Sequence, residues 1–320
     1  MGTHGNRESR TAVAGVLLLL LFALLAALAL AACSGSGSTA SNSPSAAATT
    51  PSASLSIAPA AEPVSNWDAP GSASLAQTLA VVHRYAAQLH AKKIPGAGLY
   101  DPSATFDDST AAGSHLQGVA AIAGLYRDAY ASAFAWSPKY HVMAAPGVAI
   151  YEVQLKTGAT GSTPALALLA VDGNKIRHEQ VFLNEGNTGP VTFASSAPGA
   201  KDNAKVAAQV AAKAAINSSG DMATLQTLIA PDMLFRDTSE SLTVPGSSWP
   251  EWRNHLPGAV TIESKKPIAG PGWAVVRWTA RQVGSTVEWA MPGATVMEVR
   301  RGRIVRMTLY YDSTVMRLQR

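Results

Sequence analysis

Apolar and polar positions change period several times along this chain, and the changes come in an order that repeats. Leu75, Leu79, Val82, Ala86 and Leu89 recur at helical spacing, with Ser74 or Ser72 placed to cap the helix. Gly96 and Gly98 interrupt, and a short apolar run ends on Phe106-Asp107-Asp108. Residues 118–135 predict a second helix, with Val119, Ile122, Leu125 and Tyr126 on one face. From Tyr140 the period is two. Strands are expected at 142–143, 148–156, 164–171 and 175–183, separated by Pro146-Gly147, residues 157–162 and Asp172-Gly173-Asn174. In the last of these, Arg177 and Glu179 alternate with His178 and Gln180, which reads as a strand polar on both faces, solvated or at an edge.

Residues 186–201 are polar and carry prolines, and the pattern then restarts. Helices are expected at 206–216 and 222–229, a short helical piece at 249–255, and strands at 259–264, 273–282, 287–300 and 303–312. One stretch is present twice, as Leu99–Asp108 and Leu228–Asp237. Leucine, proline, phenylalanine and the final aspartate match at one offset, since 228 − 99, 231 − 102, 235 − 106 and 237 − 108 all give 129. Pro146-Gly147 matches Pro271-Gly272 at 271 − 146 = 125, and Lys175-Ile176 matches Arg303-Ile304 at 303 − 175 = 128. The ordered set implies a duplicated unit with small loop differences. In each copy a proline follows a helix-like run and is expected to stop it. Phenylalanine and the aspartate two residues on then share one face of a strand. Each unit is thus helices followed by an antiparallel meander, an α+β domain with helices on one side of a curved sheet.

The first fifth of the chain has a different character. Arg7 and Arg10 precede an unbroken apolar run from Ala12 to Ala32, which ends Leu30-Ala31-Ala32-Cys33. That ending resembles the lipobox of bacterial lipoproteins, which implies a signal peptide over 1–32 and diacylglycerol on the sulfur of Cys33. An uncleaved membrane-spanning anchor is the alternative, since ~20 apolar residues suffice to span. Either way the rest of the chain lies on the extracytoplasmic face, held to the cell membrane. Residues 33–66 are Ser, Ala, Thr, Gly and Pro with hardly a charge, a tether that spans on average ~30 Å as a coil. Cys33 is the only cysteine, so neither an intrachain disulfide nor a Cys-based zinc site is possible.

Charge narrows the partners. Lys and Arg number 25 and Asp and Glu 21, a net +4 that becomes 23 − 20 = +3 without residues 1–32. No basic stripe with interleaved aromatics is present, which argues against nucleic acid. No histidine pair has ligand spacing with an acid nearby, so no metal is expected, and no phosphate loop or other cofactor motif is found. Nor does a Ser/His/Asp set stand in a suitable context.

The duplicated unit resembles the nuclear transport factor 2-like superfamily, particularly its SnoaL-like and ketosteroid-isomerase-like members. The resemblance covers 67–185 and 202–314. It implies two tandem cone-like domains, each with an apolar pocket lined here by Phe106 and Asp108 or by Phe235 and Asp237. It also implies that the two pair through their sheets as an intramolecular pseudo-dimer. Asp108 and Asp237 match the family's general base, and Tyr85, in Val81-Val82-His83-Arg84-Tyr85, matches its oxyanion-binding tyrosine. A carboxylate in an apolar cone gains proton affinity, and a phenol beside it can stabilise an enolate.

Departures from the family weaken the enzyme reading. Residues 164–170 carry no acid for a second oxyanion donor, and Ala212 stands near the place of the tyrosine in the second copy. The two aspartates also suit acceptance of backbone N–H groups in the following turn. Tyr85 suits a core tyrosine, and Trp249, Trp252, Trp273, Trp278 and Trp289 suit either core filling or a docking face. The expectation is a lipid-anchored, non-catalytic protein that binds a small apolar ligand or a protein partner. The alternative is an isomerase- or cyclase-type enzyme with Asp108 as base and Tyr85 as donor.

Overall fold

The computed structural model describes residues 71–110, 114–132, 134–157, 161–183, 204–217, 226–239, 242–246, 260–282 and 289–314. The expected leader, Cys33, the expected tether, the boundary at 186–201, the helical piece at 249–255 and the first half of the helix expected at 222–229 lie outside the described residues. All described residues belong to one compact unit, residues 57–320. Among them no helix is long and apolar enough to cross a membrane.

The first half runs α1 (Leu75–His90), β1 (Tyr100–Asp108), β2 (Ser114–Gln117), α2 (Val119–Ala131), β3 (Phe134–Ala145), β4 (Val148–Thr157), β5 (Gly161–Asp172) and β6 (Lys175–Leu183). Ser74 caps α1 with a reciprocal box: its hydroxyl accepts from Gln77 N–H at 3.3 Å and its own N–H donates to Gln77 Oε1 at 2.9 Å. The second half runs α3 (Ala204–Asn217), β7 (Ile229–Asp237), β8 (Leu242–Pro245), β9 (Val260–Ser264), β10 (Ile268–Gly270), β11 (Trp273–Gln282), β12 (Ala290–Arg300) and β13 (Arg303–Tyr311). This is the expected α+β architecture, with two sheets and few helices.

Strand order is β2-β1-β6-β5-β4-β3 in one sheet and β10-β11-β12-β13-β7-β8 in the other, with β9 also on β11. The meanders are antiparallel, but β1 lies parallel to β6 and β7 parallel to β13. These two parallel contacts have the same register. Thr105 opposes His178 as Leu234 opposes Arg306, and Asp108 opposes Val181 as Asp237 opposes Leu309.

The prolines do not stop helices here. Pro102 and Pro231 lie inside β1 and β7, where ladder pairing breaks between Tyr100 and Thr105 and between Ile304 and Arg306. A residue without an N–H is tolerated in such an irregularity. α2 also ends earlier than the sequence pattern suggests, at Ala131, and β3 starts at Phe134. Gly147 makes the β3–β4 turn at φ 75°, and a Cβ there would meet Gly71 O at 1.9 Å. Gly71, whose N–H bonds Gly147 O at 3.2 Å, is thereby held against that turn.

Alternation along the strands builds three cores. Ala149, Tyr151, Ala167, Leu169 and Val181 pack under α1 and α2, with Val82, Tyr85 and Ile122. Met233, Phe235, Ala274, Val276 and Met297 pack under α3, with Ala207 and Ala211. The opposite faces meet each other: Ile150, Leu166, Leu168 and Phe182 form one cluster with Val275, Ala294, Val296 and Tyr310.

A buried ion cluster crosses that contact. Arg306 Nη2 and Nη1 donate to Glu152 at 2.7 and 3.1 Å, and its Nε donates to Glu298 at 2.7 Å. Tyr310 and His141 add contacts to Glu152 at 2.7 and 2.8 Å. Burial alone would raise the Glu152 carboxyl, but the Arg306 guanidinium outweighs it and holds the group well below the usual range. Arg306→Met would leave Glu152 and Glu298 buried without their cation. We expect a loss of about 3–5 kcal/mol in stability, measured from denaturant unfolding midpoints at neutral pH.

Candidate functional site

The polar centre of the first half is a carboxyl held by three phenols. α1 brings Tyr85, the start of β1 brings Tyr100, and α2 brings Tyr126; β6 places Glu179 between them. Tyr85 Oη donates to Glu179 Oε1 at 2.6 Å and Tyr126 Oη donates to the same oxygen at 2.8 Å. Tyr100 donates to Oε2. The Tyr85 and Tyr126 hydroxyls lie 3.1 Å apart. Glu179, Tyr85 and Tyr100 are fully buried and Tyr126 is 4% exposed. Tyr151 meets the Tyr85 ring edge-on at 5.4 Å, and Phe106 meets Tyr126 at 6.5 Å.

Burial raises the Glu179 carboxyl above its ordinary value, against the pull of the three hydroxyl donors. The phenols are pushed well above theirs by burial and then by the Glu179 charge. Phenol donors gathered at one buried point are the kind of group that can offer hydrogen bonds to an oxygen that develops negative charge.

The polar pattern of residues 175–183 hides this residue. β6 is neither solvated nor an edge strand: it lies between β1 and β5, and Glu179 shares a face with Val181, which faces the helices. The parallel β1–β6 pairing puts it there, a contact across more than seventy residues that no local pattern announces. The apolar residues that follow Glu179 at every second position, Val181 and Leu183, were the available signal.

Phe106 packs on Tyr126 as the strand phase requires, and Asp108 ends the same strand. Its carboxylate accepts the Thr110 N–H at 3.0 Å. Burial and the nearby Asp312 charge push it up to about 6. Tyr85 is hydrogen-bonded to Glu179 and Tyr126, so the two residues matched to base and donor are engaged by different partners.

Phe235 is fully buried in the core of the second half, and Asp237 follows it two residues on. Asp237 accepts the Ser239 N–H at 2.9 Å and the Tyr311 hydroxyl at 2.8 Å, while Ser239 Oγ lies 2.6 Å from Tyr311 Oη. The Trp278 ring is 5.9 Å from that of Tyr311. The phenol beside Asp237 therefore comes from the end of β13, where the first half has Leu183 at the matching place (311 − 183 = 128).

A further set forms on the other face of β1. Thr105 Oγ1 is 2.5 Å from His178 Nδ1, and His178 Nε2 is 3.2 Å from Asp107 Oδ2. Asp107 Oδ1 is 2.6 Å from His115. Hydroxyl, imidazole and carboxylate in line is the geometry of an activated nucleophile. Here burial, then the Arg277 charge, lower His178 to about 3, too weak a base to take a hydroxyl proton at neutral pH. Among the described residues no group of His, Cys, Asp and Glu is arranged to hold a metal ion.

Residues 210–307 match the SnoaL-like domain family. Among solved structures, an LEH-like epoxide hydrolase from M. tuberculosis is similar at 17% identity over 36% of this chain and 89% of that one, with a TM-score of 0.31. A protein with a ketosteroid isomerase-like fold from Catenulispora acidiphila, in complex with trimethylamine, is similar at 21% identity over 34% and 90%, with a TM-score of 0.31. An NTF-2 like protein from Burkholderia xenovorans is similar at 16% identity over 34% and 84%, with a TM-score of 0.30. No curated protein sequence matches the chain.

Asp108 supplies a direct test of this electrostatic picture. The folded chain holds its proton more tightly than the unfolded chain, at about 6 against an ordinary 3.8. Its contribution to stability is therefore full below the ordinary value and is lost as pH rises through the folded one. Asp108→Asn is expected to stabilise the protein at about pH 8, with the gain vanishing by about pH 4, in urea unfolding across that range.

Proposed function

We propose that this chain is a lipid-anchored, extracytoplasmic binding protein without catalytic activity of its own. In this reading two tandem SnoaL-like domains, 67–185 and 202–314, stand on a tether over 33–66 that ends in lipid on Cys33. The observation that carries it is the closed Glu179 cluster. Every hydroxyl that an isomerase of this kind would direct at a substrate oxygen already donates to a carboxyl of the protein, out of contact with solvent.

The ligand that fits is small and apolar. Leu116, Val119, Leu125, Tyr130, Trp136 and Leu183 are only partly buried against the first core and offer apolar surface around the cluster. The Tyr130 hydroxyl is buried without a well-aligned hydrogen bond, and burial pushes it up to about 12 against a smaller pull from Trp136. One polar atom on an otherwise apolar ligand would satisfy it.

A second reading, an isomerase or cyclase with Asp108 as base, is favoured by one observation. A carboxyl at about 6 is poised for proton transfer near neutral pH. It requires Tyr85 to leave Glu179.

Native mass spectrometry of the protein extracted from its host's membranes separates the two. A co-purified small molecule is expected in the wild type and in Asp108→Asn, and less of it in Tyr130→Phe and in Trp136→Ala. The intact mass should place a lipidated mature N-terminus at Cys33, and Cys33→Ser should release the chain into the soluble fraction. Asp108-dependent exchange of protons alpha to a ketone, with no bound molecule, would replace this reading with the enzyme. An unmodified Cys33 in the mature chain would remove the anchor from it.

A further inference from the structure

The two facing sheet surfaces are related residue by residue, and their charges are opposite. Glu152 opposes Leu166 across β4 and β5 as Arg277 opposes Ala294 across β11 and β12, so Glu152 and Arg277 occupy matching places. By the register of the parallel strands, His178 matches Arg306 and Asp107 matches Arg236. Both ladders even shift register at matching points, between Ala170 and Val171 and between Glu298 and Val299. At these three places the first half carries Glu, Asp and His, and the second carries three arginines.

The contact uses the matching places in both directions, as an interface with twofold character does. On one side Arg306 of the second half clamps Glu152 of the first, and Arg236 lies within reach of the Glu152 charge. On the other side Arg277 of the second half reaches into the first. Its Nη1 is 3.4 Å from Gln180 Oε1, and its charge acts on both Asp107 and His178. In each case the cation comes from the second half.

We infer that these two surfaces form a directional lock: the first half's face accepts the arginine-bearing face of the second half and rejects a copy of itself, so that each chain closes on itself. Two first-half faces together would bury Glu152 and Asp107 twice with no arginine between them. Two second-half faces would bring Arg236, Arg277 and Arg306 of each together. Buried like charges without partners are among the strongest penalties an interface can carry. The apolar cluster between the sheets supplies attraction that would serve any pairing; the charges choose the partner.

The matching places dictate the test, made on the full-length chain in detergent. Arg277→Glu installs the first half's residue in the second half, and His178→Arg installs the second half's residue in the first. Each alone is expected to lower the thermal midpoint by several degrees, Arg277→Glu more than Arg277→Gln. The double variant rebuilds at 178 and 277 the pairing found at 306 and 152, and should recover more than half of the summed loss. Light scattering should give the mass of one chain for the wild type and the double variant. Losses that simply add, or a two-chain wild type, would overturn the lock. Where a single variant does not fold, the double decides: a cooperative transition supports the lock and an unfolded double overturns it.

Discussion

Glu152 and Arg306 sit with almost no solvent contact, on strands 154 residues apart, and share two hydrogen bonds across the contact between the sheets. Such a pair is tolerable only when both charges and their remaining hydrogen-bonding positions are satisfied. Glu298, Tyr310 and His141 do this, which fixes the two sheets face to face. Each sheet then has a single face left, the one under its helices. Any ligand site in either half is confined to that side, and the polar groups under the helices decide what it does.

The phase of β1 and β6 sorts those groups. Asp107 and His178 point to the sheet-sheet side, where Arg277 acts on them, whereas Phe106, Val181 and Glu179 belong with the helices. One residue along β6 separates an imidazole at the interface, His178, from a carboxyl in the centre of a core, Glu179. The Glu179 cluster is more than filler. Removing one phenol would leave an acid inside the core short of a donor, and that cost explains why α1, α2 and β1 all send a tyrosine to the same point.

Much of the architecture was legible in the chain. The helix at Leu75–His90 and its serine cap, the strands β4 to β6 and β11 to β13, the turns at Gly147 and Gly173, and the offset of 129 between Phe106 and Phe235 are local or periodic signals. The parallel pair in each sheet was not, because β1–β6 and β7–β13 are contacts made across long separations. Without them Glu179 looked like one more polar residue on a polar strand. Pro102 looked like a helix stop for the same reason, since the ladder irregularity that accommodates it exists only once β6 is in place. The phenol beside Asp237 was sought on a helix near Ala212 and is supplied instead by Tyr311 at the end of the last strand.

Locked face to face in this way, the two sheets must behave as one folded body. Amide hydrogen exchange of the full chain, followed by mass spectrometry on Leu166–Ala170 of β5 and Ala294–Glu298 of β12, tests this most directly. The buried ion cluster and shared apolar face predict that both segments open together, with the same protection and the same dependence on denaturant. Exchange of β12 at a rate of its own, well ahead of β5, would contradict it.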